Sequence, residues 1–186
     1  MLNRLNIFLI IKHHFRSFYF HDTGNPNWVE LALHIFLPLG LGITMGVRVG
    51  MNSDIGNATI AALSIWGGFL FAMLLPLYDL WQKENEFLIQ ILHDKENNYA
   101  ATVKTIENAV KIMKETFYNI SYGILVCLLA VVFTVLSSFF AKTCIETILA
   151  CICYTFYIAS FLMLLMIIKR IFCIFDYRFS LTTKSK

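Results

Sequence analysis

Two side chains, His34 and Arg48, are the clearest candidates for acid–base chemistry in the apolar parts of this chain. His34 lies one turn into the first apolar stretch, and Arg48 lies at its far end. An ionisable group within a membrane is a functional candidate by default, so this pair forms a possible polar relay for protons or ions. The alternative is a His that is hydrogen-bonded to a neighbouring helix. A pump or coupled transporter is disfavoured, because no Asp or Glu lies mid-stretch.

The cysteines do not have the spacing of a metal site. They form no CxxC pair and no Cys/His cluster with the spacing of zinc ligands. We interpret them as small packing residues, and we expect neither a metal nor another cofactor. The five are Cys127, Cys144, Cys151, Cys153 and Cys173.

Signatures of catalysis are also missing. The chain has no GxSxG, no HExxH, no P-loop and no dinucleotide fingerprint, and Ser137 and Ser138 lack a nearby base. We therefore expect that this protein is not an enzyme. Direct nucleic-acid binding is not expected either, because the basic residues at the two termini suit anionic membrane lipids better than a nucleic-acid groove.

The composition indicates the environment in which these residues act. Of the 186 residues, 58% are apolar and only 15% are charged, and the mean hydropathy is +0.67. An ordinary soluble domain has about 25% charged residues. Such a chain has too few charges to cover a water-exposed surface. The composition excludes an ordinary globular enzyme and a disordered chain, and it indicates a multi-pass membrane protein.

Four long stretches without Asp, Glu, Lys or Arg predict four membrane spans. A helix needs about 20 apolar residues to cross the hydrocarbon core, with a range of roughly 17–25. The first stretch reaches that length if it starts near Trp28 and ends near Arg48. The four stretches are 31–47, 55–78, 116–141 and 147–168.

The basic residues fall almost entirely on one side of these spans. Thirteen of the fifteen Lys and Arg residues lie before the first span, between spans two and three, or after span four. By the positive-inside rule, both termini and the middle segment face the cytoplasm. The sequence thus predicts an all-α membrane protein with four transmembrane helices, an N-terminal interfacial helix and a cytoplasmic helical hairpin between spans two and three. The predicted segments are 1–27 for the amphipathic helix and turn, 28–80 for the first transmembrane hairpin, 81–118 for the cytoplasmic hairpin, 119–168 for the second transmembrane hairpin and 169–186 for the basic cytoplasmic tail.

The N-terminal segment mixes Leu, Ile and Phe with basic residues, which is typical of a helix that lies in the membrane interface. We interpret His13 and His14 there as polar groups at the interface.

The middle segment carries apolar residues at helical spacing on both sides of a polar break at 94–98. The second stripe has the alternating steps of a heptad seam. Such a seam is either buried between the two arms and sister subunits, or it docks a soluble partner protein. The two interpretations are compatible. The candidate docking residues are Leu88, Leu92, Tyr99, Val103, Ile106 and Val110.

Small residues four apart predict a close helix contact within the membrane. Without bulky side chains two helix backbones can approach each other, and van der Waals contact then holds them together. One interpretation is that spans one and two pack on each other within a subunit. The other is an interface between subunits, or a pore lining. The residues are Gly42, Gly46 and Gly50 on span one and Ser64, Gly68 and Ala72 on span two.

The layout resembles a group of small four-pass bacterial inner-membrane proteins from anti-phage defence systems, such as the membrane subunit of the Kiwa system and the membrane effectors paired with retrons. The resemblance rests on the size, the four spans, the middle hairpin, and the basic aromatic segment 13–20 that leads to 25–28. It implies a role in sensing infection at the bacterial inner membrane together with a soluble cytoplasmic partner, and in some such systems the membrane protein then disrupts the membrane. The heptad seam and the glycine face add the expectation of a homo-oligomer. The alternatives are a non-conducting scaffold that recruits a soluble partner, and a small housekeeping channel or transporter.

Overall fold

The computed structural model describes residues 7–18, 27–93, 100–140 and 143–184. In these ranges the protein is all-α, with a short N-terminal helix and four long helices. They are α1 (Ile7–Arg16), α2 (Trp28–Arg48), α3 (Ser53–His93), α4 (Ala100–Phe139) and α5 (Cys144–Lys184).

The four long helices each contain a stretch that is long and apolar enough to cross a membrane. Hydrocarbon offers the backbone no hydrogen-bond partner, so a continuous helix is the structure that satisfies every peptide group. The all-α class and the four apolar spans predicted from the sequence are confirmed. The candidate spans are Trp28–Arg48, Ser53–Gln90, Ile106–Phe139 and Cys144–Asp176.

Asparagine side chains cap the starts of α2 and α3, and a glycine follows the end of α2. The side chain of Asn27 accepts a hydrogen bond from the Glu30 amide, and that of Asn52 accepts one from the Ile55 amide at 2.8 Å. Both bonds satisfy amides that the first turn of a helix leaves unpaired. Gly50 has a φ of 66° just after α2, a conformation that side-chain-bearing residues rarely adopt. The chain therefore turns sharply between α2 and α3.

The long helices pack antiparallel in the spatial order α2, α5, α4, α3. Broad contacts join α2 to α5, α5 to α4, and α4 to α3. α3 and α5 meet in a narrower contact, where the rings of Trp66 and Tyr157 stack at 5.1 Å. In the part of the chain that the structure describes, α2 and α3 have almost no contact. The interpretation in which spans one and two pack on each other is therefore wrong, because α5 covers the face of α2 that α3 would have used.

A seven-residue repeat builds the core of α3, α4 and α5. On each of these helices, positions seven apart are buried along most of the helix, which is the geometry of left-handed supercoiled packing. The repeat crosses the boundary between the charged and the apolar parts of α4 without interruption. The buried positions include Leu63, Leu70 and Leu77 on α3, Ile106, Met113, Ile120 and Cys127 on α4, and Cys153, Ile167 and Ile174 on α5.

Glycines set the distance between α2 and α5. A Cβ added at Gly42 would lie 2.7 Å from Thr155 Cα, and one at Gly46 would lie 2.6 Å from Cys151 Cα. Real Cβ atoms do not approach backbone atoms this closely, so both glycines are required for the contact. The third glycine, Gly50, lies in the turn beyond the helix and is bound differently. Its carbonyl accepts a hydrogen bond from the Tyr154 hydroxyl at 2.9 Å.

Substitution of Gly46 by Ala should force α2 and α5 apart. The added methyl group has no space beside Cys151, and overpacking of this kind costs about 1–3 kcal/mol. The free energy of unfolding, measured by denaturation in mixed micelles, checks this value. The matched control is Gly40→Ala, because a Cβ at Gly40 meets no atom within 4 Å. Equal stability of the two variants would contradict the glycine contact.

Candidate functional site

A buried polar junction joins α1 to the long helices. His14 is 3% exposed, and its ring stacks on Tyr122 of α4 with 4.0 Å between ring centroids. Its Nδ1 lies 2.9 Å from Asn119 Oδ1, and the neighbouring His13 stacks on Tyr118 at 4.2 Å. Two adjacent His residues thus hold α1 against one face of α4.

Arg170 of α5 closes the junction from the other side. Its guanidinium donates to the Ser17 carbonyl at 2.9 Å and to Glu115 Oε2 at 3.1 Å. Arg170 and Glu115 are less than one-fifth exposed. Charge-assisted bonds in a site with little water are stronger than surface pairs. The segment that follows α1 is thereby bound to both α4 and α5.

The surroundings of His14 favour its neutral form. Burial is the main cause that lowers the pKa of His14 to about 4, and the nearby His34 and Arg170 lower it further, while the hydrogen bond with Asn119 opposes them. Burial disfavours the charged form because a low-dielectric environment solvates an imidazolium poorly. Nδ2 of Asn119 has no hydrogen-bond partner among the described residues. Because burial disfavours the charged form of His14, the docked position of α1 depends on an uncharged His14.

His34 belongs to this junction, whereas Arg48 does not. His34 packs against Phe18, with 4.9 Å between the ring centroids, and its Nδ1 lies 2.9 Å from the Glu30 carbonyl. Its Nε2 is buried without a partner among the described residues. Arg48 is exposed at the opposite end of α2, roughly 20 Å away at about 1.5 Å per residue. The structure therefore does not bring the two residues of the suggested relay together.

The six small residues have different surroundings. Gly42 and Gly46 contact α5, while Ser64, Gly68 and Ala72 on α3 are exposed. A Cβ at Gly68 would meet nothing within 4 Å. The two sets do not face each other, and no helix in the described ranges covers the small face of α3.

The candidate docking residues that the structure describes are buried or half-buried where the charged parts of α3 and α4 pack on each other. Leu88 and Ile106 are buried, and Val103 and Val110 are half-buried. The side chains of Leu92 and Tyr99 lie outside the described residues. The more exposed apolar surface belongs instead to Phe87 at 48% and Ile89 at 57%, which flank Leu88.

Sequence reasoning missed most of the junction. Asn119 and Tyr122 could have been noticed as polar groups in an apolar stretch, and Glu115 and Arg170 as opposite charges at the ends of spans. Their pairing depends on α4 lying beside α5, which the sequence does not indicate. The sequence predicts that His14 is a polar group at the interface, whereas the structure buries it.

No group of three or more His, Cys, Asp or Glu residues that could hold a metal occurs in the described ranges. The chain matches no family model, no curated protein and no solved structure.

Acidification should release α1 from α4. An undocked His14 has the ordinary pKa of 6.5 and the docked one a pKa of about 4, so docking weakens as the pH falls from the first value towards the second. The docking constant should fall on the order of tenfold between about pH 7 and pH 5. Hydrogen exchange of the backbone amides of residues 7–18 in nanodiscs, corrected for the intrinsic rate, measures this loss.

The control His14→Phe keeps a ring to stack on Tyr122 but removes the titration, so its protection should stay nearly constant over this range. His34→Gln should retain most of the pH dependence. Exchange in the unmodified protein that does not change with pH would contradict the assignment. The other ionisable groups that face His14 or its partners are His13 on α1, His34 on α2, Glu115 and Tyr122 on α4, and Arg170 on α5.

Proposed function

We propose that this protein is an oligomeric inner-membrane component of a bacterial anti-phage defence system. In this proposal it senses infection, or disrupts the membrane, together with a soluble cytoplasmic partner protein. Both termini and the connection between α3 and α4 lie in the cytoplasm, and α1 lies at the inner interface. The distribution of the basic residues and the resemblance to four-pass defence proteins support this assignment.

The observation that carries the proposal is the paired extension of α3 and α4. α3 continues beyond the end of its most apolar segment, and α4 begins before the start of its own, so the two charged parts form paired arms. Leu88 and Ile106 are buried along these arms. From Asp79 to His93 the extension is roughly 20 Å long at about 1.5 Å per residue. If the membrane boundary lies at Asp79, where the charge-free stretch of α3 ends, Phe87 and Ile89 are about 12–15 Å beyond it at about 1.5 Å per residue. Apolar groups that are exposed beyond a membrane are typical of a protein contact site.

The exposed small face of α3 supports assembly into oligomers. Ser64, Gly68 and Ala72 leave room for the backbone of another helix, and no helix of the same protomer fills it in the described ranges. The interior of a protomer is occupied by the buried repeat of α3, α4 and α5. A pore would therefore form between protomers, or after the helices rearrange.

Loss of the exposed apolar groups on the arms should abolish defence. The variants Phe87→Gln and Ile89→Gln, expressed with the neighbouring genes, should no longer reduce phage plating efficiency, because the partner loses its contact surface. Lys83→Gln and Glu86→Gln are controls that change exposed polar positions on the same arm. Membrane fractionation verifies insertion of each variant. Full protection by both apolar variants would argue against the arms as the docking site, and a locus that never protects would reject the defence role.

A non-conducting scaffold is the second candidate, and the filled interior of the protomer favours it. Expression of the protein without its neighbours distinguishes the two functions. A pore admits an impermeant dye and depolarises the cells, whereas a scaffold leaves dye exclusion and membrane potential unchanged. When the partner is then co-expressed, the scaffold retains it at the membrane.

A further inference from the structure

An apolar cavity of about 170 Å³ lies between α3 and α4, close to the end of the spans that carries the basic residues. Residues from both helices line it, and most of the lining is apolar or aromatic. The position is where the charge-free stretches end, next to Asp79 on α3 and Glu115 on α4. The lining residues are Leu77, Tyr78, Trp81, Met113, Lys114, Phe117 and Tyr118.

Three polar groups of the lining belong to types that recognise a lipid headgroup. Nε1 of Trp81 is buried and has no hydrogen-bond partner among the described residues. Lys114 is exposed, and its ammonium group supplies a positive charge at the cavity. Tyr78 is about half exposed and lies against Trp81, with 5.9 Å between ring centroids. An unpaired indole N–H next to a cavity needs an acceptor oxygen, and an ammonium group needs an anion.

None of the residues that line the cavity is acidic. Glu115 pairs with Arg170 on α5. Asp79 follows Tyr78 by one residue, so it lies about 100° around α3 from that residue, and it is exposed. Glu84, one turn beyond Trp81 on α3, is buried outside the lining. Among the lining residues, Lys114 supplies the charge and Trp81 the unpaired donor.

We propose that this cavity binds an anionic phospholipid of the inner leaflet. The apolar lining holds part of an acyl chain, the Trp81 N–H donates to an ester oxygen of the lipid, and Lys114 binds the phosphate. Only an amphiphile matches an apolar cavity with a cationic group at the depth of the headgroups. Trp and Tyr are enriched at this depth because their rings are apolar and their N–H and O–H groups are polar. The site does not depend on the proposed role in defence.

The site also adjoins the contact of α1. Tyr118 lines the cavity and stacks on His13. A bound lipid would therefore contact the same aromatic ring that holds α1, and its binding should stabilise the docked helix.

Native mass spectrometry of the full chain, purified in detergent with equal amounts of phosphatidylglycerol and phosphatidylcholine, tests the proposal. The unmodified protein should retain phosphatidylglycerol preferentially, and Lys114→Gln should reduce this preference about fivefold. Trp81→Phe should also reduce retention, since it keeps a ring and removes the N–H donor. The matched controls are Lys111→Gln, one turn earlier on α4, and Trp28→Phe, at the exposed start of α2. Neither control residue lines the cavity.

A second measurement requires no variant. A photoreactive phosphatidylglycerol in nanodiscs should label the peptides that contain 77–81 and 113–118 more than the rest of the spans.

Three results would overturn the proposal. The first is equal retention of the two lipids, with labelling spread over all spans, which indicates bulk lipid. The second is displacement of the lipid by inorganic phosphate alone, which indicates a phosphate site. The third is a changed oligomeric state of Lys114→Gln with unchanged lipid retention, which indicates that a second copy occupies the groove.

Discussion

The seven-residue repeat shared by α3, α4 and α5 is the constraint on which the rest of the structure depends. It buries Ile106 and Met113 in the charged part of α4 and Ile120 and Cys127 in the apolar part, all on one continuous stripe. Because the stripe does not change across this boundary, the paired arms and the spans share one continuous core. A displacement of the arms would therefore act on the packing of the apolar parts of the same helices. The cavity beside Trp81 adjoins this stripe at Met113, where the charge-free stretches of α3 and α4 end.

The two remaining helices attach to this body in different ways. α2 is held by close contact at Gly42 and Gly46, where shape decides the fit and charge has no part. α1 is held by hydrogen bonds, ring stacking and an ion pair around His14, all of which depend on protonation or water access. A glycine contact is insensitive to pH, whereas the junction of α1 contains a buried His14 whose charged form is disfavoured. This difference makes α1 the element whose position is easiest to change.

Much of the fold could be predicted from the sequence, because composition and charge spacing are local signals. The absence of charge over four stretches predicted the four spans, and the heptad steps after the polar break predicted a seam, which the structure extends as a buried stripe from Ile106 to Thr134 on α4. Which helices pack side by side could not be predicted in this way. The glycines of α2 indicated that a close contact exists, but any helix with a suitable face could have made it, and α5 rather than α3 does. The burial of His14 likewise depends on Asn119 and Arg170, which come from distant parts of the chain.

Two native cysteines provide the most direct test of the orientation on which this account depends. Cys144 and Cys173 are both exposed and lie on α5, roughly 40 Å apart at about 1.5 Å per residue. An impermeant maleimide added to intact spheroplasts should label Cys144, and should label Cys173 only after permeabilisation. The variants Cys144→Ser and Cys173→Ser assign each signal to its residue. Labelling of Cys173 in intact spheroplasts, with Cys144 protected until permeabilisation, would place the arms of α3 and α4 outside the cell and contradict the account.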